Sequence, residues 1–325
     1  MRIHLQSKPG THSFVLTEET WADAASRAPD IASGHSVSFG QDPATFATAM
    51  QEAEILVAQT AALAEGLPPS PQLKLIYATS AGLDRLMPLD WLPAGVPILN
   101  NRGTHAHKAG EYGLMALLML VNRLPALMTA QRQGRWDPQH GGVLAGRHLV
   151  AVGLGALGGT AAQHARDFGM RVTGVRTRAE PHPACDRVVA VEDLDTVLPE
   201  AEFLYVATPL TPATRNLLSR ERIARLPKGA GIANVGRGPL LDQDAVLDAL
   251  DSGHLGGAVL DVFDPEPIPP GHRLWTTPNL IITPHTSADD PTTYNARSLD
   301  IFFDNLRAYR DGAALPNRFD PVRGY

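Results

Sequence analysis

The feature that most restricts the fold of this chain is a glycine-spaced turn near its middle. Gly153-Leu154-Gly155-Ala156-Leu157-Gly158 directly follows the apolar run Leu149–Val152 and leads into a helix-forming stretch over Ala161–Phe168. Short apolar runs bounded by turn residues read as buried strands. In such a turn the first glycine permits the tight bend. The second lets a ligand approach the backbone, and the third lets helix and strand pack closely. The helix N-terminus then faces an anion. Alone, this spacing fits a glycine turn in any α/β domain. The further strand Met170–Val175 makes it a dinucleotide-binding turn.

Strand and helix signals keep alternating beyond it. Leu194–Leu198, Arg220–Ala224 and Asp242–Ser252 read as helices, and Phe203–Ala207, Gly231–Val235, Gly257–Leu260 and Leu280–Thr283 as strands. That alternation predicts a parallel, doubly wound sheet. The first 100 residues predict a smaller α/β domain, with strands at Arg2–Leu5, Ser36–Phe39, Ile55–Ala58 and Leu73–Ala78 and a helix over Thr17–Ala28. Between the two lies a long helix candidate, His107–Gln133, kinked or split by Pro125. It is apolar over much of its circumference, which predicts burial between layers or, preferably, packing on a second subunit. A helix over 290–310 closes the chain. A length of 325 residues suits two domains.

Composition removes several classes of partner. Net charge is −6 with no basic block, so there is no electrostatic footprint for nucleic acid. The most apolar stretch, Leu114–Val121, is too short to span a bilayer. The single cysteine, Cys185, rules out an internal disulfide and fits a reducing compartment. The N-terminus lacks the apolar core of a signal peptide, so a cytoplasmic protein is expected. His105 and His107 have no third partner at metal-binding spacing, and no metal is assigned.

Three side chains carry the chemistry. Arg237, in Asn234-Val235-Gly236-Arg237-Gly238, follows a strand, where an arginine can grip a carboxylate through two parallel hydrogen bonds. His285 follows the last strand across Pro284 and can give a proton to a carbonyl or take one from an alcohol. Glu266, between Pro265 and Pro267, can fix the histidine tautomer and raise its pKa. Each also has an ordinary explanation: a surface ion pair, a structural histidine, an exposed loop acid. Together they suit a small 2-oxo acid whose carbonyl is protonated while a hydride arrives.

Those segments resemble the D-isomer-specific 2-hydroxyacid dehydrogenases, in the branch similar to glyoxylate/hydroxypyruvate reductases. The resemblance rests on N-x-G-R-G, on Leu260-Asp261-Val262-Phe263-Asp264-Pro265-Glu266-Pro267 and on Thr283-Pro284-His285. It implies α/β architecture with two doubly wound parallel-sheet domains, a flavodoxin-like substrate domain and a Rossmann domain, with a cleft between them. The substrate domain would be discontinuous, residues 1–100 plus 288–325, around a dinucleotide-binding domain of residues 101–287. Arg237, Glu266 and His285 would be catalytic. Backbone N–H groups at Ala81 and Gly82 would hold the substrate carboxylate, a role that a glycine-bearing turn suits. Gly153, Gly155, Ala156, Leu157, Gly158, Thr208, Pro209, Thr211, Val235 and Asp261 would line the dinucleotide, Asp261 meeting the nicotinamide carboxamide. A homodimer through the cofactor domain is expected.

Departures bear on specificity. Arg176-Thr177-Arg178 stands where an acid would bind the ribose diol of NAD, which favours a 2′-phosphate and hence NADP(H), although the fold also accepts NAD(H). Ala156 removes one side-chain phosphate contact, and Gly110 replaces a commoner alanine. Trp275 would line the substrate pocket or the subunit interface. The resemblance leaves two rivals. One is a relative acting on formate or phosphite, the former disfavoured because such enzymes carry glutamine in place of Glu266. The other is a dinucleotide-sensing corepressor-like protein.

Overall fold

Two sets of parallel strands, each buried by the helices that connect them, account for the chain. The computed structural model describes residues 1–10 and 14–321; residues 11–13 and the last four of the expected 288–325 segment lie outside the described residues. Contacts divide the chain into Met1–His105 with Asp290–Tyr325, and Ala106–Asp289.

The first unit contains β1 (Arg2–Gln6), α1 (Glu18–Arg27), α2 (Pro29–Ala32), β2 (Ser36–Gly40), α3 (Pro43–Ala49), β3 (Ile55–Ala58), α4 (Thr60–Leu63), β4 (Leu75–Ala78) and β5 (Ile98–Leu99). Its sheet runs β2-β1-β3-β4-β5 with every pair parallel, the flavodoxin-like order. α1 starts where Thr17 and Thr20 form a reciprocal capping box. The closing helix, which is the eleventh in chain order, spans Tyr294–Arg310 and belongs to this unit. Its Phe303 meets Trp21 of α1 edge to face at 5.0 Å in the core.

The second unit opens with α5 (Ala106–Val121) and α6 (Leu124–Arg132), then continues β6 (His148–Val152), α7 (Ala156–Asp167), β7 (Arg171–Arg176), β8 (Arg187–Ala190), α8 (Leu194–Val197), β9 (Phe203–Val206), α9 (Arg220–Ala224), β10 (Ala230–Asn234), α10 (Gln243–Asp251), β11 (Leu255–Leu260) and β12 (Leu280–Ile282). The sheet order is β12-β11-β10-β9-β6-β7-β8, all parallel. The chain leaves β6 in one direction and returns at β9 to build in the other. The carboxyl ends of β6 and β9 therefore flank the crevice where a ligand binds in such sheets.

The expected 107–133 helix is two helices, bent by 67° at the break. Arg123 there adopts a left-handed backbone, φ 53°. Pro125 falls in the first turn of α6, where its missing N–H costs nothing. α5 is buried on one side only. Ala109, Tyr112, Gly113, Ala116 and Leu117 face inward, whereas Met115 and Leu118 remain more than a third exposed. Small residues let α5 lie directly on α7. A Cβ at Gly113 would sit 2.6 Å from that of Ala161, and one at Gly110 would sit 2.4 Å from Thr160 Cγ2 and 2.9 Å from His164 Cδ2. The glycine at 110 is thus matched to the larger residues opposite it. No single helix among the described residues is long and apolar enough to cross a membrane.

Other boundaries differ from expectation. α7 begins at Ala156 rather than 161, with Gly158 and Gly159 inside it. β5 and the edge strand β8 add to the sheets without having been expected, and α2, α3 and α4 are further short helices.

Candidate active site

In the second unit the residues singled out above lie just past the carboxyl ends of the parallel strands. Gly153 follows β6; Thr208, Pro209 and Thr211 follow β9; Val235 and Arg237 follow β10; Asp261 follows β11; His285 follows β12; and Arg176, Thr177 and Arg178 end or follow β7. Ala81 and Gly82 lie past β4 in the first unit. There Asn100 Nδ2 donates to the Ala81 carbonyl and Ser80 Oγ to that of Gly82, both at 3.0 Å, which orients the turn.

The three glycines of the β6–α7 turn differ in what surrounds them. Gly153 has φ +92°, and a Cβ there would meet Ala207 and the Thr208 nitrogen at 2.8 Å. A Cβ on Gly158 would lie 1.9 Å from the Gly153 carbonyl oxygen. At Gly155 a Cβ would meet nothing within 4 Å, and no side chain caps the helix that starts there. Two glycines are therefore required by the protein itself. The third leaves open space before uncapped helix N–H groups, which fits the pyrophosphate of a dinucleotide. Ala156 and Leu157 are the first residues of α7. Thr211 and Thr214 brace the loop after β9, with the Thr214 hydroxyl donating to the Pro209 carbonyl at 2.7 Å.

Past β7, the structure brings in an acid that the sequence had not linked to the turn. Glu180 lies 3.9 Å from Arg176 Nη2 and 3.9 Å from Arg178 Nη1, in a solvent-exposed setting. Exposed pairs of this kind contribute at most about 1 kcal/mol.

Around Arg237 and Glu266 the backbone is tightly specified. The buried Asn234 side chain accepts from Gly236 N–H at 3.0 Å and donates to the Arg237 carbonyl at 2.9 Å, stapling the turn. Sequence reasoning had given Asn234 no role; its ability to form an Asx turn was the available signal. Arg237 Nη1 donates to the Gly236 carbonyl at 2.7 Å. A Cβ on Gly238 would fall 2.1 Å from the Phe263 carbonyl carbon, so only glycine lets this turn touch the 261–267 loop. In that loop the Phe263 N–H donates to Glu266 Oε1 at 2.9 Å.

Glu266 Oε2 lies 2.8 Å from His285 Nδ1. A carboxylate only accepts, so Nδ1 carries the hydrogen of this bond and Nε2 is left for chemistry. Side-chain exposure is 40% for His285 and 22% for Glu266. The pair is therefore anchored yet reachable by a substrate. His285 itself has φ 55°, a left-handed backbone that typically costs about 1–3 kcal/mol in a non-glycine residue. It is held there by its N–H, which donates to the Asp261 carbonyl at 2.8 Å. Asp261 is fully buried, and its carboxylate accepts from Thr283 Oγ1 at 2.6 Å, Thr286 N at 2.9 Å and Ser287 N at 3.0 Å. Trp275 is about half exposed, its indole N–H donating to the Pro269 carbonyl at 2.9 Å. Among the described residues no three His, Cys, Asp or Glu side chains gather as a metal site would need.

The chain is similar in sequence and fold to several known proteins. Residues 114–287 match the family model described as D-isomer specific 2-hydroxyacid dehydrogenase, NAD binding domain. A structure from Xanthobacter autotrophicus Py2, a D-isomer specific 2-hydroxyacid dehydrogenase in complex with NADPH and MES, is 29% identical. It superposes with a TM-score of 0.81 over 99% of both chains. An NADPH-dependent glyoxylate/hydroxypyruvate reductase from Sinorhizobium meliloti, in complex with NADP and sulfate, is 25% identical over 100% of both chains with a TM-score of 0.79. D-3-phosphoglycerate dehydrogenase from Mycobacterium tuberculosis is 30% identical over 282 residues, 86% of this chain. The chain matches 53% of that protein, about half its length.

The glycine turn gives a direct test of fit. Gly155→Ala should leave the melting temperature of the ligand-free protein within about 2 °C, while weakening NADPH binding at least tenfold by fluorescence titration. Gly158→Ala should destabilise the fold itself by about 1–3 kcal/mol or more through overpacking. Equal behaviour of the two variants would remove Gly155 from the dinucleotide site.

Proposed function

The chain belongs to the D-isomer-specific 2-hydroxyacid dehydrogenases, a family of NAD(P)-dependent enzymes, and on that footing we propose that it reduces a small 2-oxo acid of the glyoxylate or hydroxypyruvate kind to a D-2-hydroxy acid. The observation that carries this reading is the His285–Glu266 hydrogen bond of 2.8 Å in a partly open site at the carboxyl ends of β11 and β12. Glyoxylate reductases among the relatives support the choice of substrate class.

In this reading bound NADP(H) supplies the hydride that reaches the carbonyl carbon. His285 Nε2 gives its proton to the carbonyl oxygen and takes one from the alcohol in the reverse direction. Glu266, accepting from Nδ1, keeps the ring oriented and favours the imidazolium once formed. The Arg237 guanidinium grips the substrate carboxylate, which fixes the carbonyl relative to His285. Gly153, Gly155, Ala156, Leu157 and Gly158 would hold the pyrophosphate, and Thr208, Pro209, Thr211 and Val235 would line the dinucleotide; the carboxamide contact expected of Asp261 is not open to its side chain, which is fully buried and already accepts three hydrogen bonds. Arg176, Thr177 and Arg178 take a 2′-phosphate, so NADP(H) is preferred over NAD(H). Two arginines and a hydroxyl suit a phosphate better than a bare ribose diol.

We also assign the outer face of α5 and α6 to a second copy of the chain. Leu114, Met115, Leu118, Met119, Leu124 and Leu127 line an apolar groove of about 430 Å³ there. Apolar helix faces of this kind are usually covered in stable proteins.

Four variants test these assignments. His285→Ala should lower kcat with glyoxylate about a hundredfold or more, the usual contribution of a positioned acid–base group, with NADPH affinity within about twofold. Arg237→Ala should lose turnover with similar NADPH affinity, and wild-type kinetics in either variant would remove that residue from the mechanism. Arg176→Asp should shift the NADPH/NADH ratio of kcat/KM toward NADH by about tenfold or more, the scale of one charged hydrogen bond; an unmoved ratio overturns the 2′-phosphate assignment. Met115→Asp should convert a dimer into monomers by sedimentation, and an intact dimer would place the interface elsewhere.

A further inference from the structure

Behind the His285 turn lies a chain of hydrogen bonds whose direction is set by valence. The Asp261 carboxylate accepts from two backbone N–H groups, those of Thr286 and Ser287, and from the Thr283 hydroxyl at 2.6 Å. Threonine has one hydroxyl proton, and here it is spent on Asp261. Tyr112 Oη of α5 lies 2.6 Å from the same threonine oxygen, so the phenol must be the donor in that contact. Burial pushes the Tyr112 phenol up to about 12, which keeps its proton in place through the neutral range. The proton sequence is therefore Tyr112 to Thr283 to Asp261. Asp261 in turn holds His285, Thr286 and Ser287, through its carbonyl and its carboxylate.

We propose that Tyr112 is a positioning residue for His285, acting from helix α5 through Thr283 and Asp261. A threonine hydroxyl is a rotor, and at Thr283 it has both Asp261 and Tyr112 within hydrogen-bond distance. An incoming phenol proton occupies one of the two lone pairs and bars the hydroxyl from turning toward Tyr112, which favours the orientation toward Asp261. The carboxylate then keeps its full set of donors, and the left-handed turn carrying His285 is held in a single geometry. The residue touches neither the histidine nor the expected reacting atoms, so its effect is on orientation. Main-chain N–H donors at 286 and 287 bracket the effect on one side of the histidine and Thr283 on the other.

The inference rests on the reading of His285 as the proton carrier, and the experiment separates the two. Tyr112→Phe, Thr283→Val, Thr283→Ser, the Tyr112→Phe/Thr283→Val double variant and His285→Ala are compared with the wild type, using NADPH and glyoxylate. Amide hydrogen exchange at Thr286 and Ser287 is followed without substrate. Thr283→Val should lower kcat about tenfold, as loss of a hydrogen bond to a charged group does, with KM and NADPH affinity within about twofold. Tyr112→Phe should lower kcat about threefold, Thr283→Ser, which keeps the hydroxyl, should retain the wild-type kcat, and the double variant should lose no more than Thr283→Val alone. Exchange at Thr286 and Ser287 should quicken in both single variants. Wild-type kcat and exchange in Tyr112→Phe, or losses that multiply in the double variant, would overturn the relay. So would a loss of kcat that only follows the fraction unfolded. An active His285→Ala with altered exchange in Thr283→Val would instead overturn the proton-carrier reading and leave the positioning chain standing.

Discussion

A buried carboxylate is the constraint on which the candidate site depends. Asp261 has no exposed surface, and a charge taken out of water must find compensating donors or become very costly. The chain meets that demand with two backbone N–H groups and a hydroxyl, all drawn from the segment after β12. Satisfying Asp261 and shaping the loop that carries His285 are thus the same event. The unfavourable left-handed backbone at His285 survives because leaving it would strip donors from a charge that has no water to replace them. Strain in the turn and burial of the acid hold each other in place.

Glycines set the second kind of constraint, through close approach of backbones. Gly158 against the Gly153 carbonyl fixes how α7 leaves β6, and Gly238 against the Phe263 carbonyl fixes how the Arg237 turn meets the Glu266 loop. In each case a side chain would have to occupy space already filled by main chain. Gly155 is the contrasting case: nothing of the protein needs the space beside it. Where backbone approach demands glycine, the residue serves the fold; where the space is left open, it serves something that arrives from outside.

Much of this was legible in the sequence, because parallel strands buried on both faces leave continuous apolar runs. β6, β9 and β10 are buried at every position, and their runs stood out. β8 did not, since its edge position keeps Arg187 exposed and only one of its residues buried. The start of α7 was hidden because Gly158 and Gly159 read as loop, whereas packing against the neighbouring strand overrides their low helix propensity. At the site, Arg237, Glu266 and His285 could be named from residue type and segment. The partners of Asp261 could not, because they come from the turn beyond a neighbouring strand. Nor could Glu180 be linked to Arg176 and Arg178, since that link depends on how the chain turns back after β7.

The seam between α5 and α7 carries a consequence for how this sequence can change over generations. Gly110 sits under Thr160 and His164, which fill the room that an alanine at 110 would take. A mutation to alanine at that one place meets a wall, while shrinking Thr160 or His164 first would open a void under the glycine. Neither order of events is neutral, so the three positions are sterically coupled. The cost of changing any one of these three positions therefore depends on what stands at the other two.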